Sequence, residues 1–410
     1  MRRGAPSSAS GRRLATIPGA ERALELTLAP IAVEAFLAEH WERRPLVVAR
    51  GERGRFDAVL SSADVEWLIC SARIRTPAFR LVKAGTQIPS REYTRDEPWG
   101  AGSFTEMADP QRVASEFVDG ATIVLQALHL QWPAAAVFCR ELEAALGVAV
   151  QANAYHTPAA AQGFPVHHDT HDVFVLQVEG RKRWLVYEPL LELPLRDQRW
   201  TQELGDPGEP VRDLTLEAGD TLYLPRGWPH EAITSDSESL HLTIGMHAHS
   251  WLDAAGAALA DCAHDVELRR SIGAAGERGV EGLLARLDQA LDPELVRARA
   301  RGRFVAGRRP ILHGQISQLR ALAALTPDDA LERRPTVIAD LELAPEGVLL
   351  AFEGKQLAFP LRLRAEVQFV AAAATSFSAR ELPGRLDDAG RLVLVRRLVR
   401  EGFLRYAETS

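Results

Sequence analysis

Asp172-Val-Phe-Val-Leu-Gln-Val-Glu-Gly-Arg-Lys-Arg-Trp-Leu-Val-Tyr187 places apolar and β-branched runs of strand length on both sides of Gly180. It predicts a strand, a turn at Gly180 and a second strand. Downstream, Leu214-Thr-Leu-Glu-Ala-Gly-Asp-Thr-Leu-Tyr-Leu-Pro225 repeats the pattern around a Gly-Asp turn. Ser239-Leu-His-Leu-Thr-Ile-Gly245 adds another alternating run. Short strands with turn signals at regular spacing predict an all-β sandwich or barrel for this region.

Two segments beside these strands carry the chemistry. Pro165-Val-His167-His168-Asp169 precedes the first, and Leu224-Pro-Arg-Gly-Trp-Pro-His230 follows the Gly-Asp turn. His167 and Asp169 are two residues apart, so on a strand they share a face. Two imidazoles and one carboxylate, arranged facially, leave the remaining positions of an octahedral metal open. That suits non-haem Fe(II), which must hold a cosubstrate and O2 together. A bare His-x-Asp also arises by chance, with the histidine hydrogen-bonded in a core and the aspartate in a turn, so the weight rests on the surroundings. His168 belongs to the opposite strand face. His171 shares parity with His167 and Asp169, and would replace His230 only if the strand ran straight on.

The surroundings are specific. Asn153-Ala-Tyr155, Gln162-Gly-Phe-Pro-Val-His-His-Asp169, Asp172-Val-Phe-Val-Leu-Gln177, Glu179-Gly-Arg-Lys-Arg-Trp184 and Tyr223-Leu-Pro-Arg-Gly-Trp-Pro-His230 together resemble the JmjC-type cupin oxygenases. Within these they resemble the bacterial ribosomal oxygenases, which are ribosomal protein arginine hydroxylases. Phe36-Leu-Ala-Glu-His-Trp-Glu-Arg-Arg-Pro-Leu-Val48 and Leu81-Val-Lys-Ala-Gly85 resemble earlier parts of the same family. The resemblance covers residues 30–250 closely and the rest in outline. It implies Fe(II), with 2-oxoglutarate as cosubstrate and O2 as oxidant. It makes His167, Asp169 and His230 the metal ligands, and the third ligand His230, not His171. It makes Lys182 the cation that pairs the far carboxylate of 2-oxoglutarate, a task suited to an ammonium on a long stem; Arg181 and Arg183 then point the other way. Tyr155 would help hold the cosubstrate, unless its hydroxyl only satisfies the core. Asn153 would line the pocket, with Thr243 a weaker candidate beside it. The family often has Ser or Thr where this chain has Gly245, so one cosubstrate contact is missing or supplied otherwise. Arg226 is expected to order the loop that carries His230, Trp228 to pack, and His241 and His247 to sit in the core or on the surface, with the barrel interior as the alternative. His264 and His313 lie outside the barrel.

Composition sets bounds. At 410 residues, two or three domains are expected. Hydrophobic content of 46% with 25% charged residues is globular. No long apolar run suggests a membrane span. Residues 1–20 carry Arg2, Arg3, Arg12 and Arg13 without a following apolar core, so they read as a flexible arm and not as a secretory signal. Cys70, Cys139 and Cys262 are odd in number and widely spaced, which fits a reducing cytoplasm. A net charge of −7 argues against a general nucleic-acid binder. The same charge suits a basic ribosomal protein as partner.

The fold expected is therefore mainly β with α. A flexible arm over 1–20 precedes a double-stranded β-helix (cupin/JmjC) catalytic domain over 21–250. A helical region over 251–326 follows, then a winged-helix-like module over 327–410. Short helices are predicted at 62–70 and 109–118, and a longer one at 131–146. After Ser250 the chain turns rich in Ala, Leu, Glu and Arg, with helices predicted at 254–262, 280–291 and 311–325. The last module predicts strands at 336–343 and 348–352, helices at 365–375 and 390–401, and a final strand at 403–406. Its last fifty residues hold nine Arg against six acidic residues, too modest an excess for a DNA-reading module, so direct sequence-specific nucleic-acid binding is not expected. The resemblance implies a homodimer formed through 251–325, and hydroxylation of an arginine on a large-subunit ribosomal protein. Alternatives are a histidine hydroxylase, an N-methyl-lysine demethylase, a cupin enzyme that does without 2-oxoglutarate, and a non-enzymatic cupin that binds metal as a regulatory module.

Overall fold

In a computed structural model, residues 13–14, 20–159, 161, 165–233, 237–269, 285 and 288–407 are described. They divide into two compact units, Ala20–Ala248 and a second made of the segment from His249 onward together with Arg13–Leu14. Among the described residues, no helix is long and apolar enough to cross a membrane.

The first unit is built on an antiparallel sheet whose central member is the strand Asp172–Val186. This is one continuous strand, not the two-strand hairpin that the Gly180 signal predicts. Its first half pairs with Thr221–Leu224 on one side and with Ser239–His247 on the other. Its second half pairs with Arg212–Glu217 and His230–Ile233. Beyond Ser239–His247 the sheet continues through Ala149–Thr157, Thr122–Leu125 and Phe79–Lys83. A single strand serving two sets of partners wraps the sheet around an interior, the architecture of a double-stranded β-helix.

Gly180 still has a job. The register opposite Leu240 and His241 slips by one residue, and the Gly180 backbone is left-handed at φ 64°. A Cβ at 180 would run into the carbonyl of Glu238. A bulge of this kind flips which residues face inward. Before it, Val173 and Val175 line the interior; after it, Lys182 and Trp184 do. The other face, through Phe174, Leu176 and Val178, joins the main apolar core with Phe36 and Tyr223. The rings of Phe36 and Tyr223 meet edge to face at 4.8 Å, which seats the helix Val33–Glu39 on the sheet exterior.

The predicted helices at 109–118 and 131–146 are present as Pro110–Val118 and Pro133–Leu146, each with proline in its first turn. The predicted 62–70 helix is an α-helix over Ser62–Glu66 that continues as a π-turn over Trp67–Ser71.

In the second unit, Trp251–Asp261 is helical and carries a capping box between Ser250 and Asp253. Pro293–Ala306 is capped by Asp292. The helix predicted over 311–325 is shorter, Gln315–Ala321 followed by a 3-10 turn, and most of the predicted 280–291 helix lies outside the described residues. Ala339–Ala344, Gly347–Phe352 and Lys355–Pro360 form an antiparallel meander. Arg13–Leu14 adds to its edge, so these two residues are not the free arm expected of them. Helices Arg364–Ala372 and Asp388–Glu401 precede the strand Leu404–Tyr406, which returns to pair with Ala330–Arg333. These elements enclose their own core, including Phe352, Val370, Leu398 and Phe403.

Candidate metal and oxoacid site

His230 opens the strand His230–Ile233, directly opposite Val186. His167 forms a two-residue bridge with it: the His230 amide donates to the His167 carbonyl at 2.8 Å, and the reverse bond is 3.2 Å. Two residues on, the Asp169 carbonyl accepts from the Gly227 amide at 3.0 Å. Gly227 has φ 89°, and a Cβ there would meet the Leu191 carbonyl, so only glycine makes this close approach. Backbone pairing therefore brings together three side chains from two distant segments. Ligand atoms of His167, Asp169 and His230 all lie within 4.8 Å of one another. Asp169 Oδ2 is 3.8 Å from His230 Nε2.

Both imidazoles are oriented by carbonyls. His167 Nδ1 lies 2.8 Å from the Pro165 oxygen, and His230 Nδ1 lies 3.0 Å from the Trp228 oxygen. A carbonyl can only accept, so each Nδ1 carries the proton and each Nε2 keeps its lone pair. Burial first, and then His167, hold His230 down to about 4, so its ring is neutral near pH 7. Burial pushes Asp169 up, but His171, His230, His167 and His168 together outweigh it and hold the carboxylate below its ordinary range. Two neutral nitrogen donors and one anionic oxygen on one side of a cavity fit the donor set of a non-haem Fe(II) centre.

The cavity is lined by the three residues above together with Asn153, Tyr155, Lys182 and Thr243. The sequence-predicted candidates thus meet in one place. Lys182 is only 4% exposed. Its Nζ donates to Thr157 Oγ1 at 3.1 Å, and Thr157 Oγ1 lies 3.2 Å from Thr122 Oγ1. Among the described residues, no carboxylate lies within ion-pair distance of it. Burial alone pushes its ammonium down to about 7. Arg183 faces out and pairs with Asp213 at 2.7 Å.

Tyr155 stacks on His241, with ring centroids 5.0 Å apart and planes at 7°. Burial, and then Asp169, push the Tyr155 hydroxyl up to about 12, so it stays a neutral donor. Asn153 lines the cavity, but its Oδ1 accepts from the Ala127 amide at 2.9 Å, which gives it a structural duty as well.

Several placements differ from expectation. His241 is neither plain core nor surface: it lines the cavity, with its ring 5.5 Å from Trp184. His247 stacks on His171 at 4.7 Å. His171 lines the cavity without joining the three ligand residues. Thr122 and Thr157 were missed; Thr157 shares the parity of Asn153 and Tyr155 on Ala149–Thr157, a signal already in the sequence. His168 faces the other way, buried against Trp200, with Nε2 3.1 Å from the Gln198 oxygen. Arg226 orders the loop before His230, as expected. Its guanidinium binds Glu42 and sits 3.0 Å from the buried Asp172. Trp228 packs on the small apolar cluster around Trp184 and Val186. Gln162, Gly163 and Phe164 lie outside the described residues.

Comparison with known proteins agrees with this fold. Residues 128–254 match the JmjC domain family. The chain is 33% identical over 228 residues to "Bifunctional lysine-specific demethylase and histidyl-hydroxylase NO66" of Drosophila persimilis, covering 55% of this chain and 32% of that one. It is 33% identical over 255 residues to "Ribosomal oxygenase 1" of Gallus gallus, covering 59% and 40%. The matched region thus spans less than half the length of these relatives. Among solved structures it is similar to the Escherichia coli ribosomal oxygenase YcfD, at 18% identity and a TM-score of 0.56, covering 92% of this chain and 98% of that one. A second YcfD structure, in complex with cobalt and 2-oxoglutarate, matches at 18% identity and a TM-score of 0.55, covering 93% and 100%. The fold is therefore the JmjC cupin fold.

Proposed function

We propose that this chain, which carries a JmjC domain and is homologous to the ribosomal oxygenases, is an Fe(II)- and 2-oxoglutarate-dependent protein hydroxylase acting on an arginine side chain of a ribosomal protein. The observation that carries the reading is Lys182. A buried cation without an anion is costly, and this one borders the same cavity as two imidazoles whose Nε2 lone pairs are held ready beside a carboxylate. A dicarboxylate bound to the metal at one end and to Lys182 at the other satisfies both.

In this reading His167, Asp169 and His230 hold the metal. When bound, the iron lets O2 convert 2-oxoglutarate to succinate and CO2, placing one oxygen atom in succinate and the other in a C–H bond of the target. Lys182 pairs the far carboxylate, and the Thr157 hydroxyl already bonded to it keeps the ammonium pointed inward. Tyr155 offers a neutral hydroxyl, and Thr243 a second along the neighbouring strand. Val175 and Trp184 keep this part of the cavity apolar, which strengthens the ion pair by excluding water.

The target follows from resemblance. A relative named as a histidyl-hydroxylase at 33% identity supports histidine as the second reading. The partner proposed is a large-subunit ribosomal protein, and the location the cytoplasm, in keeping with three free cysteines. A homodimer through the helical region is supported by Trp251 and Leu252, which are 66% and 62% exposed. The test is incubation with Fe(II), 2-oxoglutarate and isolated ribosomes. Succinate and a peptide heavier by one oxygen on arginine are expected. Oxygen on histidine selects the second reading, formaldehyde release selects demethylation, and no succinate leaves a non-enzymatic metal-binding module.

A further inference from the structure

Gly245 is the one cavity-side position of Ser239–His247 where a side chain is excluded by another side chain. Its φ lies outside the left-handed region, so the backbone does not require glycine. A Cβ there would instead meet His171 Cδ2 and Nε2, each at 2.5 Å. The His171 ring fills the room that the missing side chain leaves. One face of the ring is covered by His247, stacked at 4.7 Å and 17°. An edge is set against Gly245, and the ring lines the cavity that also holds Asp169.

The strand register places this platform. On Ser239–His247, His241 lies opposite Tyr155, and Gly245 lies opposite Gln151 and Val173. Lys182 neighbours His241. Four residues of strand span roughly 13 Å, so the His241 end that Lys182 neighbours and the Gly245 end that His171 fills are separated along the cavity wall.

We propose that His171, backed by His247 and admitted by Gly245, is a specificity-determining platform on which the planar, nitrogen-bearing side chain of the protein substrate is laid beside the metal. A flat imidazole fixed on one face and one edge favours a guanidinium or imidazole ring over the flexible ammonium chain of lysine. The inference rests on the hydroxylase reading, and its test separates the two.

The protein is loaded with Mn(II) and 2-oxoglutarate without O2. Nα-acetyl-arginine amide, Nα-acetyl-histidine amide and Nα-acetyl-lysine amide are titrated against it, and paramagnetic broadening of their side-chain proton signals is recorded. A planar probe is expected to broaden and the lysine probe not. His171→Ala and Gly245→Ser should weaken that binding roughly fivefold or more, the scale of a lost stacking contact to a cation, while calorimetry on the Mn(II)-loaded protein finds the 2-oxoglutarate affinity of His171→Ala changed by no more than about twofold. His171→Phe, which keeps a flat ring, should retain it. Should Gly245→Ser fail to fold, the two His171 variants decide. Equal broadening in wild type and His171→Ala, broadening by lysine as strong as by arginine or histidine, no broadening by any probe, or loss of 2-oxoglutarate affinity in His171→Ala would each overturn the platform. Failure of the wild type to bind 2-oxoglutarate at all would instead overturn the hydroxylase reading.

Discussion

His167 and His230 hold each other through their own main chains: each amide donates to the other's carbonyl, at 3.2 and 2.8 Å. The two imidazoles therefore converge, with centroids 4.7 Å apart, through β pairing and not through side-chain contacts. Removing the side chain of His167, Asp169 or His230 leaves this bridge in place. Asp169→Ala is accordingly expected to abolish Fe(II)-dependent turnover and to weaken Mn(II) or Co(II) binding severely, with an unchanged circular dichroism spectrum. Metal affinity equal to wild type by calorimetry would remove Asp169 from the ligand set.

Lys182→Ala should act on the cosubstrate and spare the metal. Breaking a buried ion pair costs roughly 3–5 kcal/mol, so 2-oxoglutarate affinity should fall at least about a hundredfold. Thr157→Val, which removes only the hydroxyl that aims the ammonium, should cost far less. Competition binding against Mn(II)-loaded protein reads both, and unchanged affinity in Lys182→Ala would reassign the anchor.

The same residue sets a pH dependence. Burial brings the Lys182 ammonium down to about 7 in the free protein, yet it must be charged to pair a carboxylate. Binding of 2-oxoglutarate above pH 7 should therefore take up a proton and weaken as pH rises. For folding, the unfolded chain holds the Lys182 proton to a much higher pH than the folded one. Between the two values the unfolded state binds more protons, so ligand-free stability should gain from this group as pH rises from about 7 towards the ordinary lysine range. Calorimetry in buffers of different ionisation heat checks the uptake, and Lys182→Met should abolish it.

How much of this was legible in the sequence depends on the distance over which each feature is determined. That His167, Asp169, His230 and Lys182 belong to one site was readable because strand parity and motif context are local; the structure brings all four to one cavity. The long strand was misread at Gly180, because a left-handed glycine signals a turn or a bulge equally well. Only the partner register at Leu240 and His241 decides for the bulge. The platform at His171 was invisible for the same reason: its room comes from a glycine 74 positions away, on a strand that becomes its neighbour only after folding. Arg226 was read correctly as a loop organiser, but its anchor at Asp172 comes from tertiary structure.

That anchor makes a stability prediction. Asp172 is fully buried, accepts from Tyr223 Oη at 2.9 Å and faces the Arg226 guanidinium at 3.0 Å. Arg226→Ala leaves a buried carboxylate without its cation and should destabilise the first unit by about 3–5 kcal/mol. Denaturant unfolding measures it, and Asp172→Asn in the same background should recover part of the loss. A change within error would show that protonation of Asp172 or entry of solvent compensates.

The proposed homodimer is open to a direct measurement. Trp251→Glu together with Leu252→Glu should convert a dimer to a monomer in light scattering at micromolar concentration, since charges replace exposed apolar side chains at the interface. A wild-type monomer that turns over at full rate would remove the dimer from the account.

The most direct measurement of the central claim is coupled product analysis. Purified protein, Fe(II), 2-oxoglutarate and O2 are incubated with ribosomal protein, and succinate is counted against oxygen-bearing peptide. One succinate for each added oxygen atom, with both products absent in Asp169→Ala and in Lys182→Ala at limiting 2-oxoglutarate, is the result expected. Succinate-free turnover, or an unmodified ribosomal protein fraction alongside full metal and 2-oxoglutarate binding, would contradict it.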